Sequence, residues 1–303
     1  MRLLAYTFSD SEGEWLALGV HRGGTVVQLP DTLMGYLFDG DDLATMRNDV
    51  ERLAGAEGRP LEEIAPYQAV DPGKIVAVGL NYRDHAAEGG RSAPDRPLLF
   101  AKLPTSIVAD GEAIVRPEGT RALDLEVELG VVIGRAARRV EAAEAMAHVA
   151  GYVVLNDVSA RDWQGSKPAL REGEHGDGQW LRAKGSDTFL PIGSQFVTRD
   201  ETDPRAGVRL RSWRITADGT EHLMQDGTTA DLVWSVPELV AYISRSITLE
   251  PGDLIATGTP AGVGVFRDPP VFLEPGDRVR CEIEGIGSVE NPVVDWTEDP
   301  RDG

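Results

Sequence analysis

Carboxylates recur at even spacing in the stretch Leu123 to Gly134, which reads LDLEVELGVVIG. Side chains of a strand alternate faces, so Asp124, Glu126 and Glu128 share one face and Leu125, Val127 and Leu129 the other. Two glutamates side by side on a largely apolar strand repel each other unless something positive lies between them. The pattern reads as a strand with one wet, acidic face or as half of a metal site. A third carboxylate, Asp157, stands at the end of the buried-type strand Gly151 to Leu155, a position from which functional groups often project. Glu126, Glu128 and Asp157 together offer hard oxygen donors. These suit magnesium, manganese or calcium better than zinc or copper, and leave positions open for water or substrate oxygens.

A second constellation lies in Asn81 to Gly90, NYRDHAAEGG. Asn81 as N-cap and Gly89 as stop predict a short helix over Tyr82 to Glu88. His85 and Glu88 then fall three apart on one helix face. They read as a surface polar pair, or as an imidazole held in one tautomer by a carboxylate, the way a general base is oriented. The notable cations are Lys102, which ends the apolar approach Pro97 to Lys102, Arg161 after Asp157, and Lys184 in Trp180 to Ile192. Gly165 to Gly178 reads as a mobile polar loop in which His175 has no role, and His21 reads as a lone structural histidine. Thr257 to Gly264 lacks the Lys-Ser/Thr of a phosphate-binding loop and opens no helix after a Rossmann strand, which excludes nucleotide binding.

The elements that must position these groups follow from local pattern. Leu3 to Phe8, Trp15 to His21 and Thr25 to Leu29 predict strands around turns, Leu43 to Leu53 predicts a helix, and Leu61 to Ile64 a further helical turn. Asp71-Pro72-Gly73 is a turn and a domain boundary. Val140 to Val149 reads as helix, Val208 to Thr216 as a strand before an Asp218-Gly219 turn, and Ser235 to Glu238 as a capping box. LEPGD occurs at Leu249–Asp253 and again at Leu273–Asp277, as two matching turns that each feed a strand. Residues 297–303 are expected to lack order.

The 303 residues carry 30 Lys and Arg against 50 Asp and Glu, a formal net charge of −20. That excludes nucleic acid and anionic membrane as partners, and makes any cationic pocket a local exception that captures an anion. The single cysteine, Cys281, rules out an internal disulfide and a cysteine zinc site, and reads as a core thiol. No apolar run approaches the roughly 18 residues of a membrane span, and the N-terminus has no signal-peptide pattern. A soluble, cytoplasmic protein is expected.

Six segments (Lys74–Glu88, Leu98–Ser106, Leu123–Gly134, Tyr152–Gln164, Trp180–Ile192 and Leu249–Gly264) occur in the order seen in the fumarylacetoacetate hydrolase family, and residues 74 to 295 resemble it. The resemblance implies an α+β fold, predominantly β: a mixed β-roll or sandwich, with a small α/β N-terminal domain over 1–72 and a catalytic domain over 73–303. It implies Glu126, Glu128 and Asp157 as ligands of Mg2+ or Mn2+, with Ca2+ possible in place of either. It implies His85 and Glu88 as a water-activating pair on a helix that orders over the ligand, and Lys184 near a developing oxyanion. Lys102, Arg161, Gln164 and Thr259 correspond to substrate-contacting positions, Thr259 to one that meets a carboxylate. Family members are typically homodimers. The stretch from Gly165 to Gly178 is longer than the link of many relatives, which makes substrate choice the least transferable property.

The activity so implied is metal-dependent hydrolysis of a carbon–carbon bond in a β-diketo acid, an acylpyruvate or fumarylacetoacetate-like compound of aromatic catabolism. Decarboxylation of a β-keto acid such as oxaloacetate and isomerisation of a muconate-like dienoate are the alternatives at the same metal. A metal-binding protein without catalysis is the alternative of another class. Asp124 matches no family ligand and is left out of the metal set.

Overall fold

A computed structural model describes residues 1–38, 40 and 43–301. The fold is α+β and mostly β. Its largest sheet has 11 strands, and the Val127–Ile133 strand lies inside it, between Val149–Asn156 and Leu254–Ala256. Next to Leu254–Ala256 come Ile75–Gly79 and then the edge strand Leu98–Lys102. On the other side, Gln195–Thr198 leads to Arg2–Asp10, Gly13–Arg22 and Thr25–Gln28, so the lead-in strands continue the same sheet.

The central strand obeys its alternation. Val127, Leu129, Val131 and Ile133 enter a core shared with Leu210, Val279, Cys281 and Val289 of a second, five-stranded sheet. Val132 points into a different core, with Leu3, Leu18, Tyr36 and Met46 of the N-terminal region. Residues covered on both faces each contribute about 1.5–3 kcal/mol of burial, and the strand is fixed in register from both sides.

The 123–134 stretch is two strands rather than one. Leu123–Asp124 pairs with Ser159–Ala160, and Val127–Ile133 belongs to the large sheet. The side chain of Asn156 fills the break, its Oδ1 accepting from the Glu126 amide at 3.0 Å. Three other expectations change. Asn81 does not cap the Arg83–Glu88 helix, because its side chain is spent on Thr257 O at 2.7 Å and on the Trp234 backbone. The helix expected over 140–149 is confined to Ala142–His148, since Val149 already starts a strand. Thr297 and Glu298, for which disorder was expected, belong to the helical turn Trp296–Glu298, and Asp302 and Gly303 lie outside the described residues. The two LEPGD turns do match: Asp253 Oδ2 accepts from the Glu250 amide at 2.6 Å and Asp277 Oδ2 from the Glu274 amide at 2.9 Å.

Candidate active site

A cavity of about 690 Å³ opens beside the central strand, and Glu126, Glu128, Arg161 and Lys184 form its floor. The reading of Glu126 and Glu128 as a wet face is excluded: they are 4 % and 1 % exposed, and Asp157 is 0 % exposed. One oxygen from each of the three carboxylates can be chosen so that all lie within 4.8 Å of one another.

The floor charges form an alternating row. Lys102 Nζ donates to Asp157 Oδ1. Lys184 Nζ donates to Asp157 Oδ2 at 2.8 Å and to Glu126 Oε2 at 2.7 Å. Arg161 continues the row, with Nη2 2.7 Å from Glu126 Oε1 and Nε donating to Asp124 Oδ2 at 2.8 Å. Asp124 ends it by accepting from the Gly264 and Val265 amides. Asp124 therefore shares the parity of the two glutamates but faces Arg161 and the 264–265 backbone.

Glu128 stands outside this row. Its Oε2 accepts from the Gly258 amide at 2.9 Å, and none of the cations of the row pairs with it. Burial, then the charges of Asp157 and Glu126, push its carboxyl well above the usual range. Burial also acts to raise Glu126, but Lys184 and Arg161 outweigh it and hold that carboxyl below the usual range. Burial lowers Lys102, while Asp157 and Glu126 keep Lys184 raised against its burial. One negative carboxylate too many, in a dry site with hard oxygen donors, is the chemistry a divalent cation completes. The residues fit the implied metal on that ground.

The Gly258 amide reaches Glu128 because the backbone there has φ +97°, and a Cβ would lie 2.9 Å from the Asn81 Cβ and 3.0 Å from Val78 O. Only glycine combines that conformation with that approach. Thr259 follows, and its hydroxyl donates to Val127 O at 2.8 Å and accepts from Gln225 Nε2 at 2.7 Å.

The Arg83–Glu88 helix forms one wall. His85 Nδ1 is 2.7 Å from Glu88 Oε1, and Glu88 Oε2 accepts from the Gly262 amide at 2.9 Å. The carboxylate thus holds the ring by Nδ1 and leaves Nε2 as its basic nitrogen. The second wall carries Gln164, whose Oε1 accepts from Nη1 of the floor residue Arg161 at 3.2 Å, and the loop residues Gly165 to Pro168. Phe100 and Trp180 close the apolar side with ring centroids 5.4 Å apart.

Nine of the ten residues singled out in the sequence converge here, as cavity lining or as the carboxylate trio. Lys102 is the exception: it does not line the cavity, because it lies behind Asp157 and bonds to it and to Lys184 O. Sequence reasoning missed Gln225, whose side chain ties Thr259 and Pro260 to the Val127 amide. A buried glutamine in an alternating strand looks like any solvent-face residue until its partners are known. It also missed Leu80, a cavity-lining residue held at φ 55° between strand and helix. A non-glycine side chain in that conformation is local strain of the kind that gathers at functional sites.

Comparison with known proteins agrees with this geometry. Residues 74–294 match the family model described as fumarylacetoacetate (FAA) hydrolase, C-terminal. The chain is 40% identical over 306 residues to the human oxaloacetate tautomerase FAHD2A, described as mitochondrial, spanning 97% of this chain and 92% of that one. Among solved structures, it superposes on a 2-hydroxyhepta-2,4-diene-1,7-dioate isomerase from Mycobacterium marinum with a TM-score of 0.74, at 34% identity, covering 98% and 100% of the two chains. It superposes on a fumarylacetoacetate hydrolase from Exiguobacterium antarcticum with a TM-score of 0.80, at 32% identity, covering 97% and 99%. With the model match over most of its length and these full-length relatives, the chain belongs to the fumarylacetoacetate hydrolase family.

Proposed function

We propose that the chain interconverts keto and enol forms of a small anionic 2-oxo acid of the oxaloacetate type. The supporting observation is His85, a base oriented by Glu88 at 2.7 Å and lining the cavity whose floor is Glu126, Glu128 and Lys184. A divalent ion held by Glu126, Glu128 and Asp157, Mg2+ or Mn2+ in this proposal, supplies Lewis-acid polarisation of the keto acid's oxygens. His85 Nε2 takes a proton from the carbon beside the keto group and delivers it to the enol oxygen, or the reverse. Glu88 stabilises the imidazolium formed between those two transfers. Lys184 remains cationic, because Asp157 and Glu126 raise it, and sets a fixed positive charge beside the developing enolate. Arg161 and Gln164 orient the acid, and Trp180 and Phe100 keep water from the apolar side.

Carbon–carbon hydrolysis, the first expectation from the motifs, asks the same base to activate water. The relatives named tautomerase and isomerase favour proton transfer instead. A deuterium experiment separates the two. With oxaloacetate in D2O and Mg2+, a tautomerase speeds enol decay and labels C3 without consuming the acid. Release of pyruvate marks a decarboxylase, and cleavage of an acylpyruvate into two acids marks a hydrolase. No turnover of any 2-oxo acid leaves a metal-binding protein without catalysis.

No described helix is long and apolar enough to cross a membrane. The buried Cys281 fits a thiol-reducing compartment, the cytoplasm or, as for the human relative, the mitochondrion. We infer a homodimer, for which the edge strand Leu98–Lys102 with exposed Leu98, Leu103 and Leu181 offers an apolar surface. Sedimentation checks it.

A further inference from the structure

The strand Val127–Ile133 is paired from end to end on one side, by Val149–Asn156, but on the other Leu254–Ala256 covers it only from Gly130 to Val132. The stretch that carries Glu126 and Glu128 therefore lacks a second strand partner, and its buried backbone groups need other partners. Thr257 takes the Leu129 carbonyl, with its amide at 3.2 Å and its hydroxyl at 2.9 Å. At Val127, between the two glutamates, side chains take over. The Val127 amide donates to Gln225 Oε1 at 2.9 Å, Gln225 Nε2 donates to Thr259 Oγ1 at 2.7 Å, and the Thr259 hydroxyl donates to Val127 O at 2.8 Å. These three bonds close a ring.

Gln225 reaches the ring from the Glu221–Thr228 strand of the five-stranded sheet and is 1 % exposed. Its Oε1 also accepts from Ser212 Oγ at 2.9 Å, and its Nε2 also donates to Pro260 O at 2.8 Å. Both donors and both acceptor sites are thus used, and a flipped amide would set N–H against the Val127 N–H. The ring also commits the proton of Thr259. A hydroxyl has one hydrogen, and here it goes to Val127 O, so none is left for a substrate oxygen. The amides around it are committed too: Gly258 to Glu128, Ala261 to Asp84 and Gly262 to Glu88, while Pro260 has no N–H. In this run only the Thr259 amide has no acceptor among the described residues, and Thr259 is 3 % exposed and lines the cavity. Buried N–H groups are almost always paired, so this one marks the place of a ligand oxygen.

Given that the floor binds a 2-oxo acid head, we propose that Gln225 is a positioning residue for it: by holding the Thr259 hydroxyl on Val127 O, Gln225 leaves the Thr259 backbone N–H as the donor to the acid. Its role is then in substrate affinity, since Glu126, Glu128 and Asp157 have partners of their own. An ionised glutamate cannot stand in for Gln225, because it has no N–H for Thr259 and Pro260; a protonated one regains a single donor.

Binding of oxamate, an unreactive isostere of pyruvate, to the full chain with Mg2+ is measured by calorimetry, alongside binding of Mg2+ alone. Gln225→Met keeps the volume and opens the ring. It is expected to raise the oxamate Kd about tenfold, the scale of one charge-assisted hydrogen bond, and to leave the Mg2+ Kd within about threefold. Thr259→Val keeps the N–H and should match Gln225→Met, and the double variant should bind no more weakly than either, since each breaks the same unit. Gln225→Glu supplies a readout that a packing role does not give. Burial raises the introduced carboxyl, so its oxamate Kd, as a ratio to wild type at each pH, is near one at about pH 5 and climbs with pH as the donor is lost. Taking the ratio divides out the titrations of His85 and of the floor. An oxamate Kd unchanged in Gln225→Met, additive losses in the double variant, or a flat ratio in a Gln225→Glu chain that melts like the wild type overturns this proposal and leaves the floor reading standing. If oxamate does not bind the wild type with Mg2+, the floor reading falls and this inference with it.

Discussion

The floor and the walls of the cavity are held by different physics. On the floor, Lys102, Asp157, Lys184, Glu126, Arg161 and Asp124 alternate in sign, and each is at most 4 % exposed. On the first wall, a six-residue helix is tied down by the Ala261 amide on Asp84 at 3.2 Å and the Gly262 amide on Glu88 at 2.9 Å. Removing a floor charge strands its neighbour in a medium that solvates ions poorly, whereas a wall side chain leaves a gap that water can enter. Damage to the floor therefore takes fold and chemistry together, and damage to the wall takes chemistry alone.

Glu126→Ala is the most severe break in that contrast. It leaves both Lys184 and Arg161 short of a partner, and stranding a buried ion costs about 3–5 kcal/mol. Thermal unfolding is expected to show that loss, and calorimetry the loss of Mg2+ binding. An unchanged melting temperature would mean that the row is not what holds the floor.

His85→Gln tests the other half. Loss of a positioned proton-transfer group lowers kcat by about two to four orders of magnitude, while the melting temperature should stay at the wild-type value. Equal losses of stability in His85→Gln and Glu126→Ala would erase the distinction between wall and floor. Glu88→Gln should follow His85→Gln with a smaller fall, since it alters only the orientation and charge of the ring's partner.

Glu128 sharpens the comparison, because it is a floor residue without a cation. Burial and its two acidic neighbours raise its carboxyl, so the folded chain keeps a proton that the unfolded chain releases above about pH 4.3. The native state then binds more protons, and stability without metal falls as pH rises from there through the raised value. A divalent ion displaces that proton, so metal affinity rises over the same window by up to about tenfold per pH unit. Melting temperature against pH, with chelator and with Mg2+, shows both slopes. Glu128→Gln should flatten the first and abolish metal-linked proton release.

What was legible in the sequence divides along the same line. Period-two spacing placed Glu126 and Glu128 together, and the strand end placed Asp157, because both are local properties of the backbone. The i,i+3 spacing of His85 and Glu88 was legible for the same reason. The break between Asp124 and Val127 was not, since it depends on Asn156 reaching across from a neighbouring strand. Nor were the positions of Lys102 behind Asp157 and of Gln225 beneath Thr259, which arise from pairings between distant segments. Asn81 is the instructive failure. Its local preference for a helix cap lost to two long-range backbone partners, Thr257 and Trp234, that no window of sequence contains.

Asp124→Ala is the smallest expected effect on the metal, and it measures how far a disturbance travels along the row. Asp124 touches no other carboxylate of the floor and acts through Arg161, which still pairs with Glu126 at 2.7 Å. Glu126 in turn keeps Lys184, also at 2.7 Å. One intact pair therefore stands between the deleted charge and the nearest metal ligand, Glu126, which also keeps Lys184, and Mg2+ affinity should change by less than about threefold, roughly 0.6 kcal/mol. The fold suffers more, because the Gly264 and Val265 amides lose their acceptor at a buried position. A drop in metal affinity as large as that of Glu126→Ala would show the row to be one rigid electrostatic unit and not a chain of separable pairs.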